Sequence, residues 1–172
     1  MKNSIILSII LFLTSCTPIY ISSQYLQAPP KDEVKKILLV INNEKAPKDY
    51  YKYFDLELRR SLKRYKIELQ SYSFNENTIS PKKAIKANIQ KYQSDVIMYI
   101  STSEIIRVYN YSMNRDVISE IITKVSMKLP NNEDTFWEAS LKTGLYTDEI
   151  NSTEVLVEKL IQDEVIKNQE VN

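Results

Sequence analysis

The residue types that carry most enzyme chemistry are nearly absent from this sequence of 172 residues. The chain has no histidine, which excludes Ser-His-Asp and Cys-His nucleophile arrangements and every histidine-containing metal site. Its single glycine, Gly144, excludes a P-loop and a GxGxxG dinucleotide-binding turn. Paired carboxylates can cleave glycosides, but no pair of acids stands out by its position. We therefore expect no catalytic residue, no metal site and no cofactor.

The single cysteine, Cys16, follows a short apolar run near the start of the chain. Lys2 supplies a positive charge, and residues 4–13 carry none. So short a run cannot cross the hydrocarbon core of a membrane, which takes a helix of about 20 apolar residues. It has the length of a signal-peptide h-region, and this segment is therefore typical of an exported protein. A buried strand with a chance cysteine is the structural alternative.

Residues 13–16, Leu-Thr-Ser-Cys, resemble the lipobox of bacterial lipoproteins, in which a branched aliphatic and a pair of small residues precede an invariant cysteine. The resemblance implies a diacylglyceryl thioether on the Cys16 sulfur and removal of residues 1–15 as a signal peptide. Acyl chains anchor a protein durably, because each buried methylene contributes about 0.8 kcal/mol. Thr17 stands where an aspartate would imply inner-membrane retention, so the expected location is the outer membrane, facing the periplasm. An ordinary secretory signal is the alternative.

The mature chain is predicted to be one domain on a tether. Residues 16–34 contain three prolines and no regular apolar period, which predicts a tether. Residues 35–168 contain the apolar stripes and predict a single domain, followed by a tail at 169–172. Removing residues 1–15 takes one lysine from 23 basic side chains and leaves 22, equal to the 22 acidic ones. This balance argues against a nucleic acid partner.

The apolar pattern predicts alternating strands and helices. Continuous apolar runs predict strands buried on both faces, and long period-2 alternation predicts half-solvated strands. Strands are expected near residues 36–41, 67–74, 95–100, 104–111, 117–129 and 135–143, the third and fourth being either separate or one bent strand. Helices are expected over about 48–65, from Ser80-Pro81, and from Asn151 onward. Ser80 and Asn151 are the expected side-chain caps of the second and third helices.

This order of elements predicts an α/β fold with a single mixed β-sheet and about three helices packed against it. The early alternation of strands and helices predicts a parallel start, and the later hairpins predict antiparallel strands. Together with Cys16 and the tether, the order resembles that of penicillin-binding-protein activators and curli-secretion-type lipoproteins, and of the amino-terminal domain of the Tol translocation protein. The resemblance implies a non-enzymatic protein that works by contact with other envelope components.

Charge is unevenly distributed along the chain. Residues 44–93 have 12 basic and 6 acidic side chains, whereas residues 131–170 have 3 basic and 10 acidic ones. Surfaces of opposite sign would steer an envelope protein partner, or identical copies in a homo-oligomer, toward each other. Chance variation among solvated helix faces is the alternative.

The first predicted helix supplies candidate partner-binding residues: Tyr53, Leu56, Arg60 and Lys63. Helical spacing places them opposite the inward stripe, so that an apolar pair is rimmed by cations, although singly exposed apolar residues are common. The second function class is a lipoprotein that binds a glycan, peptidoglycan or lipid, suggested by the 12 tyrosines. A pocket lined with tyrosines would favour this class, and a closed core with an exposed apolar helix face would favour the first.

Overall fold

The computed structural model describes residues 19–30, 32–47, 49–144 and 149–167, with the backbone alone at residues 149 and 150. Strands and helices alternate along these ranges. The strands are β1 (Tyr20–Tyr25), β2 (Lys36–Asn42), β3 (Glu68–Phe74), β4 (Val96–Asn110), β5 (Arg115–Lys128) and β6 (Thr135–Gly144). The helices are α1 (Tyr50–Lys63), α2 (Pro81–Tyr92) and α3 (Glu149–Gln162).

The strands form one mixed sheet in the order β1-β6-β5-β4-β2-β3. β2 pairs in parallel with both β3 and β4, because the helices α1 and α2 provide the long crossovers that parallel neighbours need. The pairs β4–β5, β5–β6 and β1–β6 are antiparallel. The predicted α/β class is confirmed. Of the two alternatives for residues 95–111, the single bent strand is confirmed. β4 is one continuous strand, and its pairing with β5 shifts register only next to Thr102 and Ile106.

The strand β1 corrects the sequence prediction, which assigns residues 16–34 to a tether. β1 pairs along its whole length with β6, so the tether prediction is wrong for this part. The apolar pattern does not mark the strand, because polar contacts with Asp163 help to hold it. Ser23 Oγ donates a hydrogen bond to the Asp163 carboxylate, and the Tyr25 hydroxyl donates to the Asp163 carbonyl. The sheet therefore begins with β1 rather than at residue 35.

The two faces of the sheet are covered unequally. α1 and α3 pack side by side against one face, over the larger core. Each helix contributes a buried apolar stripe, namely Phe54, Leu58 and Leu62 from α1 and Leu156, Val157 and Leu160 from α3. α2 packs on the opposite face, where Leu38, Val40, Ile85 and Ile97 form a smaller core. Helical spacing predicts an inward stripe on α1 formed by Phe54, Leu58, Ser61, Leu62 and Tyr65. The first four are buried and Tyr65 packs against the core, so this prediction is confirmed.

The two predicted helix caps are wrong. Ser80 precedes α2 in a left-handed conformation with φ of 55°, and its side chain makes no capping hydrogen bond. A capping serine normally has an extended conformation, which directs its oxygen toward the first free amides of the helix. α3 begins at Glu149, so Asn151 lies inside the helix rather than at its start.

β4 and β5 extend beyond their neighbours as a two-stranded arm, residues 107–119. β2 stops pairing with β4 at Ser101, and β6 stops pairing with β5 at Glu120. Past these positions the two strands pair only with each other among the described residues, and a turn at residues 111–114 joins them. A two-stranded ribbon has marginal stability when isolated, so this arm depends on the sheet from which it extends.

Candidate functional site

The predicted lipid attachment residue, Cys16, lies outside the described residues, so its lipidation stays a prediction. The structure does place the chain that follows it. β1 starts at Tyr20, which pairs with Lys142 of β6. Cys16 is therefore only four residues before the sheet, counted from 16 to 20.

The four predicted partner-binding residues lie together on the outer face of α1, and we call this set (Tyr53, Leu56, Arg60 and Lys63) the α1 patch. Tyr53 is 52% exposed and Leu56 is 45% exposed, and both cations are exposed as well. The opposite side of the helix carries the buried stripe of the larger core. The side chains of the α1 patch can therefore be changed without opening the core.

Charged neighbours define the electrostatics of the α1 patch. Lys52 Nζ lies 5.9 Å from the centre of the Tyr53 ring, at a cation–π distance. Arg60 Nη1 lies 2.6 Å from Glu57 Oε1, so Glu57 partly compensates the Arg60 charge. Arg60 is largely exposed and Glu57 partly buried, and ion pairs of neighbouring residues at a helix surface contribute at most about 1 kcal/mol to stability. A partner that competes for Arg60 therefore displaces only a weak internal interaction.

A groove of about 600 Å³ lies between α1 and the outer edge of β3, lined by residues 67–71, Arg59, Lys63 and Tyr92. Arg59 reaches across this edge: it donates hydrogen bonds to a backbone carbonyl of β3 and, at 2.9 Å, to Ser71 Oγ. A side chain in this position obstructs the addition of another strand. Among the described residues that line the groove, Tyr92 is the only tyrosine, unlike the pocket expected of a glycan-binding protein.

The oppositely charged segments lie at opposite edges of the sheet. α1 and α2, which together have 8 basic and 2 acidic side chains, both pack against β3. Residues 149–164, which comprise α3 and its following turn, have 1 basic and 5 acidic side chains and pack against β1 and β6. β3 and β1 are the edge strands of the sheet, so the basic helices lie toward one edge and the acidic helix toward the other. α1 and α3 also contact each other between these edges, where Arg64 Nη2 lies 3.3 Å from Glu154 Oε1.

Asp163 joins α3 to the β1 edge, and the sequence does not single it out. Its carboxylate accepts hydrogen bonds from Ser23 Oγ, from Trp137 Nε1 at 2.9 Å and from Lys159 Nζ at 2.7 Å. Burial by itself would raise the pKa of Asp163, but the hydrogen bonds from Lys159, Ser23 and Trp137 outweigh it and lower the pKa. The three donors come from β1, β6 and α3, so Asp163 joins these elements and has a structural role. No local signal could have revealed it, because Ser23 and Trp137 are distant in sequence.

The part of the chain that the structure describes has no group of three or more acidic, cysteine or histidine side chains placed to hold a metal ion. In this described part of the chain, no helix is both long enough and apolar enough to cross a membrane. The absence of a metal site stays an expectation for the chain as a whole.

No protein-family model matches the chain, and no curated protein matches it. Its structure is similar to two solved structures of the PelC dodecamer from Paraburkholderia phytofirmans. One is 9% identical with a TM-score of 0.55, covering 88% of this chain and 100% of PelC. The other, a PelC variant, is 10% identical with a TM-score of 0.56, covering 87% and 100%. Lipoprotein GNA1162 from Neisseria meningitidis is 14% identical with a TM-score of 0.45, covering 76% and 97%. At these identities the likeness to PelC shows a shared fold alone.

Proposed function

We propose that this chain is a lipid-anchored protein of the bacterial cell envelope that works by contact with other protein chains and catalyses no reaction. The lipobox-like residues 13–16 support an anchor at Cys16, on the outer membrane and facing the periplasm. The lack of histidine supports a role without catalysis or cofactor, and the balance of charge supports one without nucleic acid. The fold that the chain shares with bacterial PelC supports a role in a bacterial assembly.

The separation of charge to opposite edges of the sheet carries this proposal. A basic edge and an acidic edge on the same chain complement each other, so the acidic edge of one copy can dock on the basic edge of the next. A contact of this kind uses two different surfaces, and it generates a ring where the rotation between copies closes and an open filament where it does not. The PelC structures with this fold are dodecamers, which supports an assembly of copies as an accessory module of a secretion, transport or wall-synthesis complex.

The α1 patch supplies the central residues of the proposed contact. Tyrosine and arginine dominate binding hot spots, often at about 2 kcal/mol or more each, and the patch presents Tyr53 and Arg60 beside the exposed Leu56. Glu158 is exposed on α3 of the same chain. We assign Glu158 of a neighbouring copy as the acceptor for the cations of the α1 patch.

A ligand-binding function has less support. The groove beside β3 has one tyrosine, Tyr92, among its described lining residues, whereas a glycan, peptidoglycan or lipid site would call for several. An exposed apolar pair on a helix above a closed core is the arrangement expected of a protein that acts by contact.

Charge reversal in the lipidated chain, within native membranes, tests the contact between copies. Arg60→Glu should weaken chemical crosslinking between copies by about tenfold or more, which corresponds to about 1.4 kcal/mol of association free energy. Glu158→Lys should weaken it similarly, because the acceptor becomes a cation. In the double variant, position 60 is acidic and position 158 is basic, so the two positions again carry opposite charges. This variant should regain most of the lost crosslinking.

Lys124→Glu is the matched control, because Lys124 is exposed on β5 and points to the sheet face away from α1 and α3. It should crosslink as the unmodified chain does. Unchanged crosslinking in both single variants would overturn the proposed interface. Weakened single variants without recovery in the double variant would show instead that the α1 patch binds a different protein.

A further inference from the structure

The arm ends in apolar side chains that no other described element covers. Tyr111, in its turn, is 88% exposed, and Val108, Tyr109 and Met113 are exposed beside it. The rings of Tyr109 and Tyr111 meet edge to face, with 5.0 Å between their centres. Several large apolar side chains exposed at the tip of one element indicate an interaction site.

The arm extends from the end of the sheet at which the chain enters it. Tyr20 pairs with Lys142, Lys142 pairs with Ile122, and Ile122 pairs with Glu104. These residues therefore lie at one level across the sheet. Past this level, β1 leads back toward Cys16 and β4 leads forward into the arm, both in the same direction.

Two further exposed apolar side chains lie at this end. β2 runs parallel to both β3 and β4, so the loop after β3 leaves the sheet in the direction of the arm. Ile79 in this loop is 91% exposed, and Tyr20 at the start of β1 is exposed as well. Three separate segments thus present apolar side chains at the end from which the chain leads to Cys16.

Lengths along the chain bring the arm to the membrane. The four residues from Tyr20 back to Cys16 span at most about 14 Å when fully extended. The six residues from Glu104 to Asn110 rise by about 20 Å at the spacing of a strand. A domain held at Cys16 with this end toward the bilayer therefore places the arm tip against the surface, because Asn110 lies farther from the level of Tyr20 than the link to Cys16 can reach.

We propose that the arm tip, residues 108–113, is a second lipid-contact site that docks on the membrane carrying the Cys16 anchor. The inference rests on the proposed anchor for the orientation of the domain. Tyrosine suits such a site, because its ring combines an apolar body with a polar hydroxyl and it is enriched at membrane interfaces. Arg107 and Arg115 flank the tip with no acidic residue between them, and they can meet lipid phosphates.

Contact at the tip gives the domain a defined orientation. A single short link allows the domain to rotate about its anchor, whereas the link and the arm together hold one end of the sheet toward the bilayer. The β1 and β3 edges then face sideways, along the membrane plane. The acidic edge of one anchored copy is thereby aligned with the basic edge of its neighbour.

A fluorescent probe at the tip of the full lipidated chain tests this contact. Ser112→Cys places a thiol among the apolar side chains without removing any of them, and an acylated Cys16 has no thiol that competes for the label. We use a nitrobenzoxadiazole label and vesicles of phosphatidylethanolamine and phosphatidylglycerol. The emission should shift to shorter wavelength on reconstitution, and lipids with a doxyl group near the headgroup should quench it. Asn131→Cys, in the β5–β6 turn at the opposite end, should show neither effect.

Serine in place of Tyr109, Tyr111 and Met113 in the labelled Ser112→Cys chain should abolish both the shift and the quenching. An unshifted probe on the intact tip would overturn the proposal. A shift in detergent that grows with protein concentration would overturn it as well, because a second copy would then cover the tip. Mass spectrometry of the same sample reports acylation of Cys16. A chain without acyl groups overturns the anchor alone. The arm is then tested with preformed vesicles and a Cys16→Ser, Ser112→Cys chain, in which the label has a single thiol at the tip.

Discussion

Three side chains from different elements donate to the Asp163 carboxylate: Ser23 of β1, Trp137 of β6 and Lys159 of α3. Trp137 is also fully buried in the larger core. One tryptophan therefore combines the burial of a large apolar surface with a hydrogen bond that links β6 to the turn after α3. The junction therefore joins β1, β6 and α3 at the acidic edge.

Trp137→Ala should lower the free energy of unfolding by about 3–5 kcal/mol, because it leaves a large cavity in the core. Trp137→Phe keeps most of the apolar volume and loses only the Nε1 donor, so it should cost about 1–3 kcal/mol. Urea unfolding followed by circular dichroism measures both variants. An unchanged midpoint for Trp137→Ala is incompatible with the burial described above.

The lowered pKa of Asp163 predicts a loss of stability in acid. The unfolded chain has the ordinary pKa of an aspartate and the folded chain a lower one, so folding favours the ionised carboxylate. This contribution is complete above the ordinary pKa and is lost as the pH falls through the lowered one. Over this acidic range the free energy of unfolding should fall less steeply for Asp163→Asn than for the unmodified chain. Equal slopes for the two proteins would refute the assignment.

At the scale of elements, apolar periodicity could predict the features whose cause lies within one continuous segment of the chain. The buried run of β2, the alternation in β5 and the inward stripe of α1 each lie within a single stretch, and helical spacing alone placed the α1 patch on the outside. β1 could not be predicted, because its polar residue Ser23 is held by Asp163, 140 positions away. The basic and acidic edges could not be assigned either, since they depend on the order of strands in the sheet.

β1 should contribute measurably to stability. A chain that begins at residue 19 should unfold at higher urea concentration than one that begins at residue 35, which lacks β1. We expect a difference of at least about 2 kcal/mol, because each net hydrogen bond contributes about 1 kcal/mol and the edge of β6 loses its partner strand. The midpoint and slope of urea unfolding measure this difference. Identical unfolding curves would mean that β1 does not pair in solution.

For the whole molecule, the proposed contacts use different directions. In the proposed arrangement, the β1 and β3 edges face sideways toward other copies, and the arm faces the membrane with the link to Cys16. The proposed contacts explain why the chain combines a net charge of only +1 with two edges of opposite sign. The proposed contact between complementary edges needs copies that share an orientation, and the proposed attachment at one end would supply that orientation.

Cys16→Ser should abolish lipidation and leave an uncleaved or wrongly processed precursor, because the serine oxygen does not replace the thiol in thioether formation. Incorporation of labelled palmitate into the protein in growing cells measures this. Thr17→Ser, which keeps the cysteine and its preceding residues, is the control and should be labelled normally. Palmitate in the Cys16→Ser protein would rule out Cys16 as the attachment residue.

Photocrosslinking from the α1 patch tests the proposed contact between copies most directly. A photoreactive phenylalanine analogue replaces Leu56 in the lipidated chain, and cells that contain light-isotope and heavy-isotope copies are irradiated with their membranes intact. We expect crosslinked peptides in which position 56 of one copy is joined to residues 149–164 of a copy with the other isotope. Crosslinks that reach only a different protein, or only the same copy, would contradict the proposed assembly.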